Sequence, residues 1–478
     1  MTSLSLSSTD FAALSPLLIL LAGALILLLL ETFAEKGAKA WSLPVAFGTL
    51  LFALVATVWA PASNNPLLTN WLRYDSLAHL FTLFFLIIGL GILLLSATFF
   101  QTFNATRGEY YFFLIAAIFG LVLIGAAADF LTLFLGLETL SIASYILCGY
   151  MKRWKISDEA AMKYFLMGAL AAAILLYGIA LIYGAIGTTR FDALLSGYHS
   201  LKGGSNLALF MSGIALVTLG LAFKAAIVPL HTWAPDAYDG APTPVTAFMA
   251  IGTKVGAFAA FARVFLVALP NFDPRWNEAI SLLAYPTLIY ANLVAMRQVQ
   301  LRRFFAYSGI SHAGFMLMPL AAGTPAALDA LLFYMAVYAI ATMGCFAVLA
   351  SLDFQIPGVM MDDLRGLIKR CPWRTAILTI CLMTLAGIPP TVGFFAKFYV
   401  FKVTYQAGYL GLVIVGLLMA ILSAYYYMRI ISLMITEAPA DASTPPKTMP
   451  ALVLGVIAML AITLLSLYPA PLQMLLAV

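Results

Sequence analysis

The sequence is built from apolar runs of about 20 residues, the length that carries a helix across the ~30 Å hydrocarbon of a bilayer. They lie near 15–33, 42–60, 76–100, 110–128, 130–150, 160–186, 206–230, 244–268, 276–296, 303–322, 325–351, 374–400, 408–435 and 449–470. No connection between them exceeds about 25 residues, too little chain to fold a separate domain. With 63% hydrophobic and 9% charged residues, the 478-residue chain has far too little polar surface for a soluble core. The expectation is an all-α polytopic membrane protein with about fourteen transmembrane helices. Very short joints between the fourth and fifth runs and between the tenth and eleventh leave thirteen as the other count. The lack of extramembrane chain excludes an internal site for a large redox cofactor, and no GxGxxG, P-loop or HExxH motif is found. Cys148, Cys345, Cys371 and Cys381 form no CxxC pair and read as small packing residues. The first run has no basic residue ahead of it, so it lacks a signal peptide's charged head and is expected to remain as helix 1.

Charge placement orients the helices. With fourteen helices and the N-terminus outside, one side holds Lys36, Lys39, Arg107, Lys152, Arg153, Lys155, Lys163, Arg297, Arg302, Arg303, Arg365, Lys369, Arg370, Arg374, Arg429 and Lys447. The other side holds only Arg73, Arg190, Lys202, Arg263, Arg275 and Lys402. Basic residues accumulate on the inner side of membrane proteins, so both termini are expected on the outer face.

Three of the 25 basic residues belong to neither side: Lys224, Lys254 and Lys397. A lysine at mid-membrane costs roughly 2.5–3.5 kcal/mol on insertion scales, so each needs a partner or a use. Lys254 lies about ten residues past Pro244, roughly 15 Å along a helix and beyond the reach of snorkelling. Lys224 lies five residues before Pro229, where snorkelling toward the inner face is the other reading. Lys397 follows Pro389, Pro390 and Gly393, which break its helix and free backbone carbonyls, an arrangement tolerated where a span lines a wet cavity.

Glu138 is the one carboxylate well inside an apolar run, and pairing with one of the lysines is the economical assignment. The residues do not say which lysine. His231 follows the Pro229 break and His312 sits within the tenth run. Imidazole titrates near neutral pH and suits a relay between lysines; a hydrogen-bonded packing role is the other reading of a lone intramembrane histidine. The candidate relay is therefore Glu138, Lys224, Lys254, Lys397, His231 and His312.

Helices 7 and 12 each carry a proline break and a lysine, and they stand five helices apart. A five-helix repeat has an odd count, so its second copy inserts upside down, as in many transporters whose broken helices mark the pathway. The expected organisation is residues 1–105 as helices 1–3, 106–270 as a first repeat (helices 4–8), 271–436 as a second, inverted repeat (helices 9–13), and 437–478 as helix 14.

The stretches FKAAIVPLHTWAPDAYDGAPTPVTAFMA, YSGISHAGF and LAGIPPTVGFFAKFYVF resemble the antiporter-like membrane subunits of respiratory complex I, the proton-pumping NADH:quinone oxidoreductase. The resemblance runs from about residue 75 to 435. Among the homologous subunit types, Lys397 fits the one with lysine in helix 12 where a sibling has glutamate. The chain also ends after helix 14, without the lateral helix of another sibling. The resemblance implies that Glu138 pairs with Lys224, that Lys224, Lys254 and Lys397 form a central hydrophilic axis, and that His231 links the lysines of helices 7 and 8. It implies a proton-translocating subunit with no redox centre or quinone site of its own. NADH, FMN, iron–sulfur clusters and quinone would be used by other subunits of the complex. Expected partners are other membrane subunits, including homologous antiporter-like ones, and membrane lipid, with no nucleic acid. The expected location is the bacterial cytoplasmic (inner) membrane with both termini periplasmic. Multisubunit sodium/proton antiporters share these motifs and form the alternative reading.

Overall fold

The structure, a computed structural model, describes residues 7–33, 38–63, 65–103, 105, 107–201, 204–353, 358–436 and 449–476. Lys36, Lys202 and Lys447, and the side chain of Lys39, all used above to orient the helices, lie outside the described residues. The long helices are α1 (Ser8–Phe33), α2 (Ser42–Trp59), α3 (Ser76–Thr102), α4 (Gly108–Ala126), α5 (Phe130–Cys148) and α6 (Lys155–Ile186). Then come α7a (Asn206–Lys224), α7b (Trp233–Gly240), α8 (Thr243–Ala268), α9 (Pro274–Ala295), α10 (Leu301–Ala322) and α11 (Pro325–Leu352). The order closes with α12a (Pro372–Ala386), α12b (Val392–Gln406), α13 (Leu410–Thr436) and α14 (Met449–Leu467).

Among the described residues, twelve helices are long and apolar enough to cross a membrane. The two remaining expected spans are α10 and the broken α12, and each has a physical reason for falling short. Every α10 residue except Arg303 is buried within the protein, so α10 needs no apolar coat against lipid and tolerates Arg302, His312 and its serines. The α12 span is divided into two 15-residue pieces. Each of the fourteen apolar runs thus has its helix or broken pair. Three residues separate α4 from α5 and two separate α10 from α11, which removes the thirteen-helix alternative.

The connections meet as fourteen alternating helices require. Among the described residues, β structure outside the helices consists of isolated bridges. Leu72 with Ala127 and Asp129 with Arg190 join three connections on one face, and Gln300 with Met360 joins two on the other. Aspartates start helices on the first face: Asp75 accepts from Ala78 N–H (2.8 Å), Asp129 from Thr132 N–H (2.8 Å) and Asp273 from Arg275 N–H (2.8 Å). Each satisfies a backbone donor that has no partner within its own helix. At Asp273 the Arg275 guanidinium and these hydrogen bonds hold the carboxyl down at about 2.

The centre of the bundle is α8 with α11, each 89% buried over its apolar window, against 28% for α14 at the rim. α8 departs from α-helical winding over Met249–Thr253 and Ala262–Ala268, where π-type turns leave carbonyls under-used. α4 and α5 pack backbone to backbone: a Cβ on Gly120 would lie 2.7 Å from the Gly136 carbonyl, and one on Gly136 2.8 Å from that of Gly120. Small residues of this kind let membrane helices approach closely, and here they fix the helix that carries Glu138.

Two arginines assigned to helix ends are in fact buried. Arg263 on α8 is 1% exposed and grips Asp75 through both terminal nitrogens (2.6 and 2.7 Å), with its Nε on the Gly125 carbonyl (2.8 Å). Burial would push the Asp75 carboxyl up, but Arg263, the Ala78 N–H and Arg73 together hold it below its usual range. Arg302 is 2% exposed and reaches Asp353 (3.4 Å) and the carbonyls of Ala241 (2.6 Å) and Asp239 (3.0 Å). Both pairs tie an end of the central helices to its neighbours.

Candidate functional site: a line of buried lysines

The first lysine ends α7a. The helix stops at Lys224, six residues before the expected end of its run, and the chain turns through 225–232 before α7b resumes. The break thus precedes Pro229 rather than starting at it. Ala226 adopts φ +57°, a conformation uncommon for a residue with a Cβ. The Val228 N–H is taken by Thr287 of α9 (3.2 Å) and the Trp233 indole N–H returns to the Phe223 carbonyl (2.8 Å). With its backbone tied on both sides, the break is a fixed feature of the site.

Lys224 is 5% exposed, and its ammonium donates to the hydroxyls of Ser141 and Tyr145 (3.2 Å to the latter) on α5. Glu138 lies one turn before Ser141 on the same helix, since spacings of three and four residues share a face. Within 4 Å the two make no ion pair; Glu138 Oε1 is buried without a hydrogen-bond partner. The implied Glu138–Lys224 contact is therefore indirect in this structure, with Ser141 holding the lysine. Glu138 is half-buried and sits in a stripe of exposed apolar residues, Leu131, Leu135, Ile142 and Ile146. That stripe is the outward face of α5.

Lys254, 2% exposed, starts the α-helical stretch that follows the first π segment of α8. Its ammonium donates to the Gly309 carbonyl of α10 (2.7 Å) and lies 3.5 Å from the Ala225 carbonyl, the first residue of the α7 break. The chain step from Lys224 to Ala225 therefore brings the first lysine next to an atom that touches the second. His231, expected to link them, is buried elsewhere. Its ring stands 4.8 Å from Tyr290 and its Nδ1 has no hydrogen-bond partner.

His312 lies one turn beyond Gly309 on α10. Nδ1 faces the Tyr334 hydroxyl (2.7 Å) and Nε2 the Tyr427 hydroxyl (3.2 Å). Tyr427 in turn contacts Ser308, and Tyr426 donates to Asn292 (3.0 Å), which donates to Ser311 (2.7 Å). The Tyr338 ring lies 5.0 Å from that of His312, and its hydroxyl donates to the Ala250 carbonyl in the π segment of α8 (2.9 Å). A small cavity, about 10 Å3, is lined by His312, Tyr334, Tyr338, Thr384 and Lys397. That is about the least volume that admits one water.

Lys397, 5% exposed, closes the line. It donates to the Ala386 carbonyl at the end of α12a (2.7 Å) and to Ser423 of α13 (3.3 Å), with its ammonium 4.9 Å from the centre of the Phe315 ring. Gly387 ends α12a at φ +75°, and a Cβ there would lie 2.7 Å from the Lys397 side chain. Only glycine serves both demands. The order along the protein is Glu138, Ser141 with Tyr145, Lys224, the Ala225 carbonyl, Lys254, the Gly309 carbonyl, His312 with its tyrosines, and Lys397. Ser141, Tyr145, Tyr334, Tyr338, Tyr427 and Ser423 were not singled out from the sequence. Tyr334 and Tyr338, four apart in a buried helix, were the signal available for two of them.

Such an axis can hold a proton at any of three amines and pass it through hydroxyls, imidazole and single waters. Comparison with known proteins places the chain in a family. The family model described as "NADH:quinone oxidoreductase/Mrp antiporter, TM" matches residues 127–423. NADH-quinone oxidoreductase subunit N of Protochlamydia amoebophila is 59% identical over 98% of this chain and 97% of its own. The protein of the same name from Chloroflexus aggregans is 37% identical over 98% and 97%. A chain of respiratory complex I from Thermus thermophilus superposes with a TM-score of 0.81 at 32% identity, covering 96% of this chain and 98% of that one. A chain of the Mrp complex from Dietzia sp. shares the fold at a TM-score of 0.82 with 21% identity. The chain belongs to the NADH:quinone oxidoreductase/Mrp antiporter transmembrane family.

Proposed function

We propose that this chain is the proton-translocating, antiporter-like membrane subunit N of a complex I-type NADH:quinone oxidoreductase. It works within an oxidoreductase complex beside other membrane subunits, homologous antiporter-like chains among them. The observation that carries the reading is that three buried lysines, on three elements, are each held by carbonyls or hydroxyls instead of by a carboxylate within 4 Å. A purely structural lysine would be paired and left so.

In this reading Glu138 is the switch. A carboxylate near Lys224 favours the charged ammonium, and its withdrawal or neutralisation favours proton release. The released proton passes to Lys254 by way of the Ala225 region, then through His312 and its tyrosines to Lys397. His231 serves uptake at the α7 break. Moving one charge across the membrane stores about 2.3 kcal/mol per 100 mV, so the switch must change the Lys224 site by a comparable amount. The drive comes from partner subunits that hold the flavin, the iron–sulfur clusters and the NADH and quinone sites. The exposed stripe around Glu138 is the natural place for a neighbour to act on it. Residues 106–270 and 271–436 form the two inverted repeats, and the chain sits in the cytoplasmic membrane with both termini periplasmic.

Purification from its native membrane in mild detergent tests this. Flavin and iron–sulfur proteins are expected to travel with the chain. Recovery with cation antiporter subunits alone would assign it to sodium/proton exchange without electron transfer.

A further inference from the structure

We infer that a proton held at Lys397 leaves the protein along the seam between α11 and α12b, through a mouth formed by Asp329, Lys402 and Gln473 and past a plug of Phe333 and Val400. This rests on the relay reading above and adds the exit to it. Two separate cavities lie in the same seam. The inner one is the His312–Lys397 cavity, with Tyr334 from α11 and Lys397 from α12b on its walls. The outer one, about 320 Å3, is lined by Asp329 and Phe333 of α11, Tyr399, Lys402 and Gln406 of α12b, and Gln473 of the short helix Ala470–Leu476.

The two helices run antiparallel here, so five residues back from Tyr334 and five forward from Lys397 lead the same way. Five residues are about 7.5 Å of helix, which makes the outer cavity the next stop after Lys397. It opens toward the α10–α11 and α12–α13 connections, the face expected to lie outside. Phe333 (2% exposed), on the inner wall of the outer cavity, and Val400 (0%), between Lys397 and Lys402 along α12b, are the apolar residues at this step, and the Phe333 ring packs edge-on against Tyr399 (5.2 Å). They make the gap dry, and a proton crosses it only when the Phe333 ring moves and water enters.

Beyond the plug the groups suit release. Asp329 and Lys402 are exposed and make no ion pair within 4 Å of each other. The Lys397 ammonium gives its proton to water, water gives it to the Asp329 carboxylate, and that acid loses it to bulk solvent, leaving Lys397 neutral for the next proton. The fixed charge of Lys402 opposes entry of a cation from outside.

The test uses the whole complex in sealed membranes. Phe333→Cys is exposed to a small membrane-impermeant thiol reagent applied from the outer face, and labelling is read by the mass of this subunit, with Gln406→Cys as the mouth control. Gln406→Cys is expected to label at all times, and Phe333→Cys several-fold faster during turnover than at rest. Asp329→Asn is expected to lose the same share of proton translocation as Lys397→Ala while the complex assembles. Phe333→Cys that never labels from outside, or Asp329→Asn that pumps fully, overturns the exit. If Lys397→Ala itself pumps fully, the relay fails, and the two failures are thereby distinguished.

Discussion

The two broken helices carry the same parts in opposite order. In α7 the lysine comes before the break, and the carbonyl just past it, Ala225, serves a lysine on another helix. In α12 the lysine comes after the break, and the carbonyl at the end of α12a, Ala386, serves that same lysine. Lys224 is held by side-chain hydroxyls one and two turns from a carboxylate, whereas the hydrogen bonds of Lys397 go to a carbonyl and a serine. The first site therefore has a carboxylate beside its lysine, whereas the titratable group sharing a cavity with Lys397 is the imidazole of His312. The contrast teaches that one design, a broken helix with a lysine, gives two different settings for the ammonium. In the proposed relay the α7 end switches the proton's hold and the α12 end passes it on.

Four variants test how far this contrast extends. The largest effect is expected from Lys224→Arg, which keeps the charge but holds a proton that guanidinium does not release at accessible pH. Proton translocation measured in sealed vesicles should be lost nearly completely while the complex assembles. Glu138→Gln comes next, because it removes the switch but leaves a group able to release a proton. Most of the coupled pumping should go, and retention of all of it would erase the difference between the halves. Ser141→Ala combined with Tyr145→Phe removes two hydrogen bonds to a charged amine, each worth about 1.5–3 kcal/mol. A fall of about tenfold or more in pumping rate is expected from this pair. The smallest effect is expected from Gly309→Ala, whose new methyl would lie 3.2 Å from the Tyr338 hydroxyl and 3.4 Å from Lys254 Nζ. A shift of a few tenths of an ångström accommodates it, so the rate should drop slightly and the assembly not at all.

Much of the fold was legible because membrane spans announce themselves by length, and the helix count followed from runs and charge placement. The two spans that hydropathy alone undervalues, α10 and α12, are those that carry His312 and Lys397. Their polarity is tolerated because α10 is enclosed by protein and the α12 break lines a cavity. The lysines stood out in the sequence because an ammonium has no reason to lie in hydrocarbon. Their partners did not, since a serine or tyrosine inside a membrane helix is unremarkable until its neighbours are known. Nor could spacing reveal that Ala225, by its backbone alone, would stand between Lys224 and Lys254. His231 drew attention by its place after Pro229, yet the early end of α7a turns the chain so that its ring meets Tyr290. Which side chain bridges two helices is set by the path of the break, and one-dimensional spacing does not carry that path. The buried Arg263–Asp75 and Arg302–Asp353 pairs were hidden for a related reason: each joins residues more than fifty positions apart in the chain.

The central claim is that protons cross this protein by way of its buried lysines, and Lys254 is the one that touches both halves. The direct measurement is the number of protons moved per electron pair by an assembled complex carrying Lys254→Ala. The account predicts a lower ratio, with electron transfer persisting through the partner subunits. An assembled Lys254→Ala complex that pumps at the full ratio would contradict it.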